Sequence, residues 1–126
     1  MFKATGGAST SNWITDRKQK VFVRRLSDLI EKEPERNIYL KLDVQGSERQ
    51  ALEGLGGSFD RIKAIELEVS TVELYKGEAL FPEIVHFLEG KNYSIFSIDP
   101  VVIDYKSGKI IQMEILFEKL NNSISV

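Results

Sequence analysis

Apolar residues recur at two spacings along the chain, and the switches between them lay out its elements. Residues 1–18 show neither spacing, and their Gly-Gly-Ala-Ser-Thr-Ser-Asn run predicts a loop or tail. Val21, Phe22 and Val23 read as a short strand. Leu26, Leu29 and Ile30 then fall at helical spacing, with Pro34 closing the helix. From residue 38 to 44 the pattern alternates strictly, with Ile38, Leu40, Leu42 and Val44 on one side. A turn at Gly46 follows. Ser47 with Gln50 three positions later predicts a capping box for a helix carrying Ala51, Leu52 and Leu55, stopped by Gly56-Gly57. Residues 64–69 read as the next strand, and 70–80 as a loop long enough to raise a functional question. Pro82 opens a helix with Phe81, Ile84, Val85 and Leu88 on one face, and Gly90 ends it. Residues 93–98 read as a strand ended by Asp99-Pro100. Residues 101–105 and 109–117 read as extended segments around a Ser107-Gly108 turn. Strands alternating with helices predict an α/β fold with a parallel sheet, and the closing pair adds an antiparallel member.

The polar half of that alternation carries the candidate chemistry. Strands buried on both faces read as continuous apolar runs, yet here Lys41 and Asp43 share one face of their strand. Glu66 and Glu68 share a face of the next, and Gln112 and Glu114 a face of the last. An ion pair between Lys41 and Glu66 across neighbouring strands accounts for those two without any function. Asp43 and Glu68 differ because they stand at C-terminal strand ends, where open α/β sheets bind ligands. If the last strand runs antiparallel beside the second, Gln112 returns to the same rim.

Composition narrows the classes. Seventeen basic residues against nineteen acidic ones give a net charge of −2. That balance predicts a solvated surface and no binding of nucleic acid or membrane. The absence of cysteine excludes disulfides and thiolate metal sites, and no metal is expected. No apolar signal-peptide core or span-length run occurs, so a cytoplasmic location is expected. Glu66 and Glu68, two apart on one strand, cannot flank a sugar from opposite sides as a glycosidase pair must. The single histidine, His86, lies mid-helix with no Ser or Asp partner near in sequence, which fits a surface or structural position. Trp13, Tyr39, Phe81, Phe87 and Phe96 match no base-stacking platform and are expected in the core or at an edge.

Lys41-Leu42-Asp43-Val44-Gln45-Gly46-Ser47-Glu48 resembles the strand-turn-helix segment of the FkbM methyltransferase family, where Lys, an apolar residue and Asp precede Gly and Glu. Other segments resemble the family in the same order. They are Arg25-Leu26-Ser27-Asp28-Leu29-Ile30, Leu52-Glu53-Gly54, Glu66-Leu67-Glu68-Val69, Tyr75-Lys76-Gly77, Phe81-Pro82-Glu83-Ile84, Asn92-Tyr93 and Gln112-Met113-Glu114-Ile115-Leu116-Phe117. Ser27 and Glu114 stand where the family commonly has Asp. The resemblance implies the C-terminal half of a Rossmann-like class I methyltransferase fold over residues 19–120, a mixed sheet with an antiparallel last strand, between tails at 1–18 and 121–126. It further implies S-adenosylmethionine as cofactor and methyl transfer to a hydroxyl oxygen of a small molecule or sugar. Asp43 and Glu68 are the expected catalytic residues, Asp43 and Gln45 the cofactor contacts, and Glu68, Gln112 and Glu114 the acceptor contacts. The family's Asp-x-Gly-Ala-Asn-x-Gly loop and its Glu-Pro strand do not occur in these residues, and Gly6-Gly7 resembles the loop joining the family's two halves. The chain is therefore expected to be truncated and inactive alone. The alternative is a catalytically silent module that pairs with another subunit or with itself through its exposed sheet edge.

Overall fold

A computed structural model describes residues 19–121. The expected tail at 1–18 and most of that at 121–126 lie outside the described residues, as does Trp13. The elements run α1 (Leu26–Ile30), β1 (Ile38–Leu42), α2 (Glu48–Glu53), a 3-10 helix (Gly56–Arg61), β2 (Ile62–Ser70), α3 (Phe81–Gly90), β3 (Tyr93–Ile103) and β4 (Ile110–Lys119). The four strands form one mixed sheet in the order β1-β2-β4-β3. β1 and β2 are parallel, and β4 runs antiparallel between β2 and β3. The expected antiparallel last strand is present, inserted inside the sheet.

The sheet's two faces differ, which explains the alternation. Ile65, Leu67 and Val69 of β2 and Met113, Ile115 and Phe117 of β4 are buried in one core with Leu52, Leu55, Phe59, Ile84 and Leu88 from the helical connections. The opposite face lacks such a cover. Its residues follow from the register: Lys41 lies beside Glu66, Glu68 beside Glu114, and Ser70 beside Gln112. A charged residue on an uncovered sheet face keeps its hydration, so polar residues are tolerated at every second position. The three polar pairs do share a single face, and Gln112 does return to the C-terminal end of β2.

Four local expectations are corrected. Residues 21–23 form no strand; Val21, Phe22 and Val23 are 70%, 98% and 90% exposed, with no ladder partner. The Ser47 side chain makes no cap bond; instead a carboxylate oxygen of Glu48 accepts the Gly46 N–H at 3.0 Å. Gly56-Gly57 does not end the helical region but opens the 3-10 helix, because Gly56 takes a positive φ of 51° that redirects the chain. Asp99-Pro100 does not divide the following strand. β3 continues to Ile103 with register shifts around Phe96 and Val101, and an edge strand tolerates the missing proline N–H.

Arg61 ties the first third of this architecture together. Its guanidinium donates to the carbonyls of Ile30 at 2.6 Å, Glu35 at 2.7 Å and Glu33. Three carbonyls, one at the last residue of α1 and two beyond it, are thereby satisfied by one planar donor, fixing the approach to β1. Among the described residues no helix is long and apolar enough to cross a membrane.

Candidate functional site at the strand ends

The parallel strands β1 and β2 end at the same rim, and the chain leaving β1 makes a tight turn there. Gln45 and Gly46 both have positive φ, 47° and 101°. Gly46 is required for space as well as conformation, since a Cβ there would lie 2.6 Å from the Tyr75 Cβ. Tyr75 reaches this position on the 71–80 loop, which one carboxylate organises. Glu78 accepts the backbone N–H groups of Leu74 and Tyr75 on one oxygen, and the Ser70 hydroxyl on the other at 3.4 Å. Gln112 in turn donates its side-chain amide to the Ser70 hydroxyl at 3.4 Å.

These contacts enclose a cleft of about 250 Å³, open mouth included, lined by Asp43, Gln45, Gly46, Glu48, Glu68, Ser70, Tyr75, Glu78 and Gln112. Four of the five expected site residues meet here: Asp43, Gln45, Glu68 and Gln112. Glu114 does not line the cleft. It sits further down the sheet face, where the Lys41 ammonium bridges Glu114 at 3.3 Å and Glu66 at 3.4 Å. The Tyr39 hydroxyl also donates to Glu66. The pairing of Lys41 with Glu66 is thus present, with Glu114 as a third member.

Four lining residues were missed: Glu48, Ser70, Tyr75 and Glu78. Glu48 and Tyr75 lay inside segments already singled out, and the length of the 70–80 loop was the signal for the other two. None could be assigned to the cleft without knowing that the loop folds back over Gly46.

The cleft is lined by four carboxylates and by no Lys or Arg. Burial raises the Glu68 carboxyl above its ordinary range, and the charges of Asp43, Glu114 and Glu48 raise it further. Burial also raises Glu48, against the pull of backbone N–H groups including that of Gly46. The Tyr75 phenol is raised by burial first, then by Glu78, Glu68, Glu48 and Asp43. Such an arrangement can hold a proton on a carboxylate more readily than water-exposed acids do, the property a general base requires.

The family model described as Methyltransferase FkbM domain matches residues 2–95. This chain belongs to the FkbM methyltransferase family. Neither the comparison with curated proteins nor that with solved structures returned a match. The FkbM match takes in β1, the Gly46 turn, β2, the 70–80 loop and α3, and so every cleft residue except Gln112. Gln112 and Glu114, on β4, lie beyond the matched residues.

Burying a carboxylate costs stability and like charges beside it add to the cost, and Glu68 is where this can be measured. Its carboxyl is raised in the folded chain, so its contribution is fully present below the unfolded value near 4.5 and is lost as pH rises through the folded value. At neutral pH the ionised Glu68 therefore works against folding. Glu68→Gln is expected to stabilise the domain at pH 7 by about 0.5 kcal/mol, after discounting for solvent screening. The gain should disappear on acidification below about pH 4. Melting curves of both proteins across that range test this, and a variant less stable than wild type at pH 7 would refute it.

Proposed function

We propose that this FkbM domain supplies the acceptor side of an S-adenosylmethionine-dependent methyltransferase acting on a hydroxyl oxygen of a small molecule or sugar. The observation that carries the reading is the convergence of Asp43, Gln45, Glu68 and Gln112 at the C-terminal rim of β1 and β2. Parallel strands joined through helices, with the last strand inserted antiparallel, support a Rossmann-like fold of the class I kind. In that fold the rim is where ligands bind.

The cleft fits part of a cofactor or acceptor and not a whole one. Even with its open mouth counted, its volume of about 250 Å³ is below the ~300–1,000 Å³ of pockets that enclose a small ligand. Asp43 and Gln45, at the mouth of the turn, present a carboxylate and an amide suited to cofactor hydroxyl or ammonium groups. Glu68 faces the same space beside Gln112, whose amide orients an acceptor hydroxyl. When bound, S-adenosylmethionine supplies the methyl group to be transferred. Asp43 or Glu68 takes up the proton that the acceptor hydroxyl loses, and the rim aligns the reactants.

Two measurements test this reading. Because these residues hold neither the Gly-rich loop nor the Glu-Pro strand of the family, calorimetric titration should give a Kd for S-adenosylmethionine no tighter than about 100 μM. Low-micromolar binding would show that the cofactor is held within these residues. In a protein completed with an FkbM cofactor segment, Asp43→Asn should lower methyl transfer about 100-fold or more while shifting Tm by only a few degrees. Unimpaired turnover in the folded variant would remove Asp43 from the mechanism.

A further inference from the structure

The chain's small net charge conceals a strong separation of charge. Arg17, Lys18, Lys20, Arg24 and Arg25 fall within nine consecutive residues that contain no acid. The other 117 positions hold twelve basic and nineteen acidic residues, a net charge of −7. The overall balance of charge is therefore not an even distribution along the chain. Between those basic residues stand Val21, Phe22 and Val23, extended in sequence preference and largely exposed. The apolar segment has no partner on its own chain among the described residues.

A complementary surface lies at the far side of the sheet. β3 is an edge strand of eleven residues whose only charge is Asp99. Ile95, Phe96, Ile98, Val101, Val102 and Ile103 are exposed along it. Its neighbours add acid: Asp99 lies beside Glu114, and Ser94 beside Glu118. Exposed apolar side chains flanked by carboxylates match an exposed apolar segment flanked by ammonium and guanidinium groups.

We propose that residues 20–25 of one copy dock along β3 of a second copy, in a two-fold pair that uses each arm once. The charge distribution selects this occupant. A nucleic acid or an anionic membrane would attract the arm but repel the −7 remainder, whereas a second copy brings the arm an acidic, apolar strip of matching chemistry. It also selects β3 over the other free edge. β1 is five residues long and carries Lys41 on its exposed face, which repels a basic arm and is a device that protects edges from pairing. The bulges and Pro100 on β3 discourage β3-to-β3 pairing while leaving its apolar side chains open to a short segment. Two contacts related by symmetry close the pair without further growth.

The test is sedimentation of the 126-residue chain with charge-reversed variants at exposed positions. At about 50 mM salt a concentration-dependent dimer of the 14.3 kDa chain is expected, with Kd weakened at least about tenfold at about 500 mM. Arg24→Glu with Arg25→Glu should weaken it at least about tenfold, and so should Asp99→Lys with Glu118→Lys. Mixing the two variants should restore both arm-to-β3 contacts in a mixed pair, one with the wild-type charges and one with the charges exchanged. Phe22→Ser gives a charge-independent arm variant with the same expected loss, should a reversal fail to fold. A monomer at every concentration, or a dimer that neither reversal weakens, overturns the proposal. So does a dimer broken by changes in β1 alone. Tight arm-dependent binding to phosphatidylserine vesicles or RNA by a chain that stays monomeric overturns it in favour of a polyanion partner.

Discussion

Gly46→Ala is expected to lower Tm by about 10–20 °C, a loss of about 2–4 kcal/mol. Two costs coincide at this position. The φ of 101° is one that residues with a Cβ rarely adopt, and the new methyl would sit 2.6 Å from the Tyr75 Cβ and 2.9 Å from its Cγ. Neither atom is the free end of a flexible chain, so either the turn or the whole 71–80 loop must move. Two other glycines separate the costs. Gly77 has a φ of 76° but nothing near its absent Cβ, so Gly77→Ala should cost only about 1 kcal/mol. Gly57 has neither constraint, and alanine there should be neutral or slightly stabilising. If crowding by Tyr75 is the larger part, Gly46→Ala in a Tyr75→Gly background, which removes the Cβ as well as the ring, should cost about 1–2 kcal/mol less than in wild type. Equal costs in both backgrounds would mean that Tyr75 does not rest on the turn. The same variant tests the cleft, because Tyr75 is one of its walls.

How far the sequence revealed this fold depended on whether the deciding contacts were local. Alternation placed β1 and β2 within two residues of their ends and assigned the two faces of β2 and β4 correctly, because a period of two depends only on which face is buried. The long helix, Phe81–Gly90, was legible from Pro82, Gly90 and its apolar stripe. Errors arose where tertiary contacts decide. Val21-Phe22-Val23 has strand chemistry but finds no ladder partner on its own chain among the described residues. Asp99-Pro100 has the chemistry of a strand end, yet β4 pairs with β3 on both sides of it. The basic arm was legible and was missed for another reason: counting charge over the whole chain averages five clustered cations against a distributed acidic body.

The site divides in the same way. Asp43, Gln45, Glu68 and Gln112 could be proposed because strand ends and face parity are sequence properties once an antiparallel last strand is assumed. Parity alone overreached at Glu114, which shares the face of Gln112 but lies one step further from the rim and meets Lys41 instead. Glu48, Ser70, Tyr75 and Glu78 depend on the 71–80 loop folding back onto the Gly46 turn. That contact, between positions some thirty residues apart, has no periodic signature.

The second large effect is expected at Tyr93, buried where the 3-10 helix meets β2. Its ring is 1% exposed and packs edge-on against Phe59 at 6.1 Å between centroids. Its hydroxyl lies 2.8 Å from the Phe59 carbonyl and 2.6 Å from that of Ile62, and donates between them. Tyr93→Phe keeps the packing and removes the donor. The Phe59 carbonyl retains the Lys119 ammonium at 3.0 Å, while that of Ile62 loses this partner. A loss of about 1–2 kcal/mol at neutral pH follows. Alkali gives the sharper test. Burial first, then the Asp60 charge, pushes the phenol from 10.0 up to about 12. A group raised on folding contributes stability that is fully present below its unfolded value and is lost as pH climbs through its folded value. Wild type should therefore lose about 2 kcal/mol between pH 10 and pH 12, because a tenfold change in proton affinity is worth roughly 1.4 kcal/mol. Tyr93→Phe has no phenol to ionise there and should escape that portion of the loss. The two proteins, separated at pH 7, are thus expected to converge in Tm as pH approaches 12, with Tyr39 and Tyr75 titrating alike in both. Parallel Tm curves over that interval would show that the Tyr93 hydroxyl titrates in the folded chain as it does in the unfolded one.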